Sequence, residues 1–225
     1  MEKYDPARYQ ELVSQQHAEF APLLLPSEFS ELFQVNTLQL LIKLARYKFV
    51  ARLLKKTDDL LEVGSGSGVG TIFLSQHVKH VTGIELNKHD YDASVSLNKR
   101  ANVTLRHQSI FDYSAEKKHD AALAMDVIEH FPVEDGHKLV AHMARQCTPE
   151  GVVFIGTPSI HSYPYQSKYS QAAHIKCYDQ PELVELMDQH FVRTFAFSMN
   201  DELVHTGHPK LAWYYFVIGV IPRQR

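Results

Sequence analysis

Leu60-Leu61-Glu62-Val63-Gly64-Ser65-Gly66-Ser67-Gly68-Val69-Gly70 is the stretch on which the reading of this chain turns. An apolar run, the signature of a buried strand, passes straight into alternating glycines and then into Thr71-Ile72-Phe73-Leu74, which continues as a helix. Glycines at a strand-to-helix turn let the backbone bend sharply and let a ligand lie against main-chain atoms. A dinucleotide turn needs glycines at i, i+2 and i+5. Counting from Gly64 the third position is Val69, and from Gly66 it is Thr71, so that pattern fails. What remains is Gly64, Gly66 and Gly68, preceded by the carboxylate of Glu62. A phosphate would seek a helix N-terminus; a carboxylate at the turn suits a cationic ligand instead.

Working outward, strands are expected at 59–63, 80–85, 102–107, 119–124, 151–156, 191–198 and 212–221, with helices at 69–77, 88–99, 133–146 and 180–189 between them. Such alternation predicts a parallel sheet with helices on both faces. The last two strands have no helix between them and are expected to pair antiparallel at one edge. The last helix opens on Asp179-Gln180-Pro181-Glu182, a capping sequence. Upstream, residues 5–20 predict a helix, and Phe29–Lys56 carries apolar residues at helical spacing. The expectation is an α/β, doubly wound, mostly parallel seven-stranded sheet with an antiparallel last strand over 57–225. Residues 1–56 form a helical extension packing on that core.

Composition narrows the function. The 225 residues are 44% hydrophobic and 22% charged, which supports a folded core rather than disorder. A net charge of −3 argues against a large basic face for nucleic acid. Cys147 and Cys177 form no CxxC pair, and they read as reduced thiols of a cytoplasmic protein. The N-terminus lacks the pattern of a signal peptide, and the run from Leu211 to Ile221 is too short to span a bilayer. No nucleophile elbow, P-loop or zinc site offers a competing chemistry.

The glycine pattern resembles motif I of the class I S-adenosylmethionine-dependent methyltransferases, E/D-x-G-x-G-x-G. The next strand ends Val81-Thr82-Gly83-Ile84-Glu85, placing a carboxylate 21 residues beyond Gly64, where it can take both ribose hydroxyls of an adenosyl group. After the third strand comes Gln108-Ser109-Ile110-Phe111-Asp112. The family often has an acidic adenine ligand here; this chain has Ser109 at that position, with Asp112 as a substitute or a loop cap. The resemblance thus implies a cofactor site of Glu62, Gly64, Ser65, Gly66, Gly68, Glu85, Leu86, Ser109, Ile110 and Asp126 for S-adenosylmethionine.

A second stretch, Ala124-Met125-Asp126-Val127-Ile128-Glu129-His130-Phe131-Pro132, resembles the subgroup with a D/E-x-x-E-H motif. That subgroup includes ubiquinone-biosynthesis O-methyltransferases and small-RNA 2′-O-methyltransferases. The segments around Gly156-Thr157-Pro158-Ser159 and His174-Ile175-Lys176-Cys177-Tyr178 are similar to bacterial methyltransferases of surface polysaccharides and small metabolites. In the small-RNA enzymes a related motif plus a distal histidine holds a divalent metal. The resemblance thus implies Asp126, Glu129, His130 and His174 as candidate ligands of Mg²⁺ or Mn²⁺. The other reading makes this turn a metal-free border of the acceptor pocket, with His130, His161 or His174 as general base. Asp126, Glu129 and His130 stand at i, i+3 and i+4, which one helical turn would gather on one side. The loop Ser159–Tyr178, with His161, Tyr163, Tyr165, Tyr169 and His174, suits a polar ring such as a sugar. His205 and His208 are expected in an exposed connection. The expected function is O- or N-methylation of a small polar molecule such as a sugar or sugar-nucleotide. A non-catalytic binding protein and a metal-dependent RNA 2′-O-methyltransferase are the alternatives.

Overall fold

In a computed structural model that describes residues 5–19 and 22–223, the chain orders itself around one mixed sheet. Three helices come first: α1 (Pro6–Glu19), α2 (Ser27–Val35) and α3 (Thr37–Leu53). The continuous helix expected over Phe29–Lys56 is broken at Asn36, whose side chain accepts from the Gln39 amide and so restarts the helix as an N-cap. Then follow β1 (Asp59–Val63), α4 (Val69–Ser75), β2 (His80–Glu85), α5 (Lys88–Leu97), β3 (Val103–His107) and β4 (His119–Met125). Next come α6 (Val133–Gln146), β5 (Cys147–Pro158), α7 (Lys168–Ala173), α8 (Gln180–Asp188), β6 (Phe191–Asn200), β7 (Leu203–His205) and β8 (Tyr214–Pro222). Asp179 caps α8 by accepting from the Glu182 amide, as its sequence predicts. No helix among the described residues is long and apolar enough to cross a membrane.

The strand order is β3-β2-β1-β4-β5-β8-β6-β7, with β1 to β5 parallel. Eight strands stand among the described residues where seven were expected. The extra one, β7, pairs antiparallel with β6 through Ser198 to Asn200, inside the connection read as a loop. Three residues are too few to show an alternating pattern. The final pair, β6 and β8, is antiparallel and lies toward one edge of the sheet, as expected. β8 does not take the edge beside β6 but inserts between β5 and β6, antiparallel to both.

Side chains from alternate strand positions feed two cores. On one face Leu61, Val63, Ala122, Val153, Ile155 and Val217 pack against Leu139, Val140 and Met143 of α6 and Leu183, Leu186 and Met187 of α8. On the other, Leu60, Leu123, Phe154, Phe216 and Ile218 meet Ala45, Tyr47, Val50 and Ala51 of α3 and Leu74 of α4. Burial on both faces explains why the central strands read as unbroken apolar runs.

Register fixes where function can lie. Val63 pairs with Ile84 and with Ala124, His107 with Glu85, and Met125 with Gly156. The carboxyl ends of β1, β2, β3, β4 and β5 therefore reach one edge together. The strand order reverses between β1 and β4, and such a switch point opens the crevice in which α/β sheets bind ligands.

Candidate active site

The glycine turn occupies that crevice. Gly64, Gly66 and Gly68 all have positive φ, at 69°, 52° and 86°. Amides of Gly64 and Ser65 donate to the Ile84 carbonyl at 2.8 and 3.1 Å, which ties the turn to β2. The Gly66 amide donates to Glu85 Oε2 at 2.8 Å, and the Asn87 amide to Oε1 at 2.7 Å. Glu85 is thus locked at the end of β2, each oxygen retaining capacity for a further donor.

The three glycines serve different ends. A Cβ at Gly68 would lie 2.8 Å from Ser94 Cβ, whereas one at Gly66 would meet nothing within 4 Å. Gly68→Ala is expected to lower thermal stability through this clash plus about 1–2 kcal/mol of left-handed backbone strain. Gly66→Ala should carry only the strain, yet project a methyl into the open crevice. Its mark is lost cofactor binding in calorimetry with a melting temperature above that of Gly68→Ala.

Beneath the turn, buried polar atoms lack partners: both oxygens of Glu62, Ser65 Oγ, Ser67 Oγ and Thr71 Oγ1. Burial pushes the Glu62 carboxyl up to about 8, against the opposing influence of the Thr71 hydroxyl. A carboxylate and three hydroxyls awaiting donors fit a polar ligand bearing a cationic amine. Leu86 is 68% exposed beside the crevice, while Ile110 is buried. Ser109 Oγ accepts from the Phe111 amide and caps the 3₁₀ turn Ile110–Asp112, and Asp112 is exposed on that turn.

Glu62 also sets a pH dependence. Its folded pKa of about 8 exceeds the ordinary value of 4.5, so the folded chain holds a proton that the unfolded chain has released. Its contribution to stability is complete below 4.5 and is lost as pH rises through 8. Ligand-free melting temperature should fall across that window, and Glu62→Gln should flatten this part of the profile.

After β4 the backbone leaves helical geometry. Asp126 has φ 54°, so it does not share a helical turn with Glu129 and His130, which follow in the 3₁₀ turn Ile128–His130. Its amide donates to the Gly156 carbonyl at 3.0 Å, and its Oδ2 accepts from Arg46 Nη1 of α3 at 2.7 Å. The Arg46 guanidinium lies 3.9 Å over the Tyr214 ring, and the Tyr214 hydroxyl donates to Met125 Sδ. Arg46 of α3 thus reaches the carboxyl end of β4.

Glu129, His130 and His174 converge, each offering a donor atom within 4.8 Å of the others. The Thr157 hydroxyl donates to Glu129 Oε2 at 3.0 Å, leaving buried Oε1 without a partner. Amides of Ile175 and Lys176 donate to the Glu129 carbonyl at 2.8 and 3.0 Å, which carries His174 to the β4 turn. The His130 ring bonds the Ala173 carbonyl through Nδ1 at 3.0 Å, so Nδ1 carries the hydrogen and Nε2 the lone pair in the neutral ring. Burial, with His130 second, holds the His174 pKa below its ordinary value; the Glu129 carboxyl is raised by burial and then by Asp126. Asp126 lies outside this group, its carboxylate committed to Arg46. His161 is exposed on the 3₁₀ turn Ile160–Tyr165 and is likewise not part of it.

A family model described as a methyltransferase domain matches residues 37–190. The chain belongs to the class I S-adenosylmethionine-dependent methyltransferase family. An rRNA adenine N-6-methyltransferase of Escherichia coli is 33% identical over 88 residues, 39% of this chain and 36% of the relative. A ubiquinone biosynthesis O-methyltransferase of Nitrosospira multiformis is 34% identical over 135 residues, 58% of this chain and 53% of its own. The chain therefore spans only about a third to a half of these relatives. Two solved structures share the fold. A possible histamine N-methyltransferase of Thermotoga maritima superposes with a TM-score of 0.67 at 15% identity, covering 86% of this chain and 94% of that one. The N-methyltransferase NodS of Bradyrhizobium japonicum, in complex with S-adenosyl-l-homocysteine, gives 0.62 at 13% identity, covering 81% and 88%. In this methyltransferase domain the glycine turn and Glu85 stand together at the β1 and β2 ends of the crevice. Thr157, Glu129, His130 and His174 line the part beside them. Arg46 and Thr157 were not assigned from sequence, and no short-range pattern marks either.

Proposed function

We propose that this domain transfers a methyl group from S-adenosylmethionine to an oxygen or nitrogen of a small polar acceptor, a sugar or sugar-nucleotide. One observation carries the reading: the Glu129–His130–His174 group stands at the β4 and β5 ends, next to the glycine turn at the β1 end. S-adenosylmethionine, when bound, supplies an electrophilic methyl on its sulfonium. Glu85 takes the ribose hydroxyls, and Glu62, protonated at neutral pH without ligand, gives up its proton to pair with the cationic end. Leu86 and Ile110 flank the adenine, and Ser109 offers its hydroxyl to it. Most of the rate in such a transfer comes from holding acceptor and methyl in line. His174 stays neutral at neutral pH, so an imidazole is available to take the acceptor's proton. The His130 ring, with Nδ1 held by the Ala173 carbonyl, presents Nε2 for the same task. An acceptor screen with methyl-labelled cofactor tests the proposal. Label on a sugar hydroxyl or amine is the expected outcome, and label found only on RNA or on no acceptor defeats it.

A second reading of the same group rests on its donor set. One carboxylate oxygen and two imidazole nitrogens fit a divalent ion, with Thr157 orienting the carboxylate from behind. Glu129, His130 and His174 would hold it, and the ion would polarise the acceptor oxygen. Two nitrogen donors suit Mn²⁺ better than Mg²⁺. Chelator should then abolish turnover, Mn²⁺ should restore it, and His174→Ala should lose the Mn²⁺ response. Full turnover in excess chelator would leave the histidines as bases alone.

A further inference from the structure

The chain has a single tryptophan, Trp213, and it is 54% exposed. Tyr165 beside it is 75% exposed, their ring centroids 5.6 Å apart and their planes tilted by 46°. Two large rings left in water are a cost that a core would normally remove, and these are not left there by loose chain. The Trp213 carbonyl accepts from the Ser159 amide at 2.9 Å, and its own amide donates to the Met199 carbonyl at 3.1 Å. Tyr165 closes a 3₁₀ turn whose N-cap is the same Ser159, its hydroxyl accepting from the His161 amide at 3.0 Å. Ser159 directly follows the β5 end, two residues after Thr157, whose hydroxyl holds Glu129. The two rings are therefore mounted on the strand end that carries the acceptor half of the crevice.

We propose that Trp213 and Tyr165 form a ring-binding subsite that takes the C–H face of the acceptor's pyranose ring and selects sugars as substrates. The proposal rests on the sugar reading given above and names the residues that enforce it. The rings touch each other at a tilt, and each stays more than half exposed, so outer ring faces are left to solvent. Their π faces attract polarised C–H groups, while the ring hydroxyls of a sugar stay in water at its rim. No Lys or Arg among the described residues lies over the Trp213 ring.

Trp213 makes its own test possible, because selective tryptophan excitation reads this position alone. The folded chain is titrated with nucleoside-diphosphate hexoses and methyl glycosides as the sugar arm, with catechol-type aromatics as the second arm, and with S-adenosylmethionine. The sugar arm should quench or blue-shift the emission, and S-adenosylmethionine alone should leave it unchanged. Tyr165→Ala, which keeps the reporter, should weaken the sugar response about tenfold while S-adenosylmethionine affinity by calorimetry stays at the wild-type value. Trp213→Phe should retain sugar-dependent turnover that Trp213→Ala loses through a raised acceptor KM at unchanged kcat. A response confined to the aromatic arm, no response to any sugar, or a Tyr165→Ala variant binding sugars like wild type overturns the subsite. Failure to bind S-adenosylmethionine would strike the methyl-transfer reading instead and leave the sugar response standing.

Discussion

Glu85→Ala is expected to weaken S-adenosylmethionine binding by between about tenfold and several hundredfold, since each charge-assisted bond to a ribose hydroxyl contributes about 1.5–3 kcal/mol. Both oxygens already accept an amide, from Gly66 and from Asn87. The substitution therefore removes the proposed ribose ligand and also the two amide contacts that fix the turn around it. Glu85→Gln separates these effects, because it keeps one carbonyl acceptor and the side-chain length. Calorimetry should rank the affinities as wild type, then Gln, then Ala, with far-ultraviolet circular dichroism unchanged in all three. Equal affinity in wild type and Glu85→Ala would remove the carboxylate from the cofactor site.

Arg46→Ala should have the largest effect on stability. Asp126 Oδ2 loses its partner at 2.7 Å, and the Tyr214 face loses the guanidinium stacked 3.9 Å above it. Deleting one member of a buried pair costs about 3–5 kcal/mol; with the Asp126 side chain 29% exposed, about 1–3 kcal/mol is expected here. Arg46→Met with Asp126→Asn removes both charges and should recover much of the loss, giving a positive coupling in a double-mutant cycle. Denaturant unfolding measures it, and additive single effects would deny the coupling. Activity should fall further than stability, since Asp126 begins the turn that presents Glu129 and His130.

The glycine turn was legible because its demands are local. A turn with three positive φ values admits glycine above other residues, so Gly64, Gly66 and Gly68 advertise it. Glu85 could be placed because parallel strands set their carboxyl ends at regular intervals along the chain. Asp126 defeats the same logic. Aspartate tolerates a left-handed backbone only occasionally, so nothing in Asp-Val-Ile-Glu-His signals the break that parts Asp126 from Glu129. Its ion pair spans 80 residues to Arg46, a contact that no short-range pattern encodes. The approach of His174 to Glu129 is made by the amides of Ile175 and Lys176, which every non-proline residue possesses. The antiparallel ending was legible because consecutive strands usually pair; that β5 takes the other edge of β8 has no local signal.

That placement of β8 has a consequence for synthesis. During translation β6 leaves the ribosome before β8, and of the strands made by then it can pair only with the three residues of β7. Until β8 arrives, β5 likewise offers a row of open amides and carbonyls on the side away from β4. The nascent chain must therefore carry two unpaired strand edges, one of them in the middle of the future sheet, where stray pairing with another chain is easiest. The last strand acts as a keystone, and the lifetime of the chain without it sets how much a chaperone must shield.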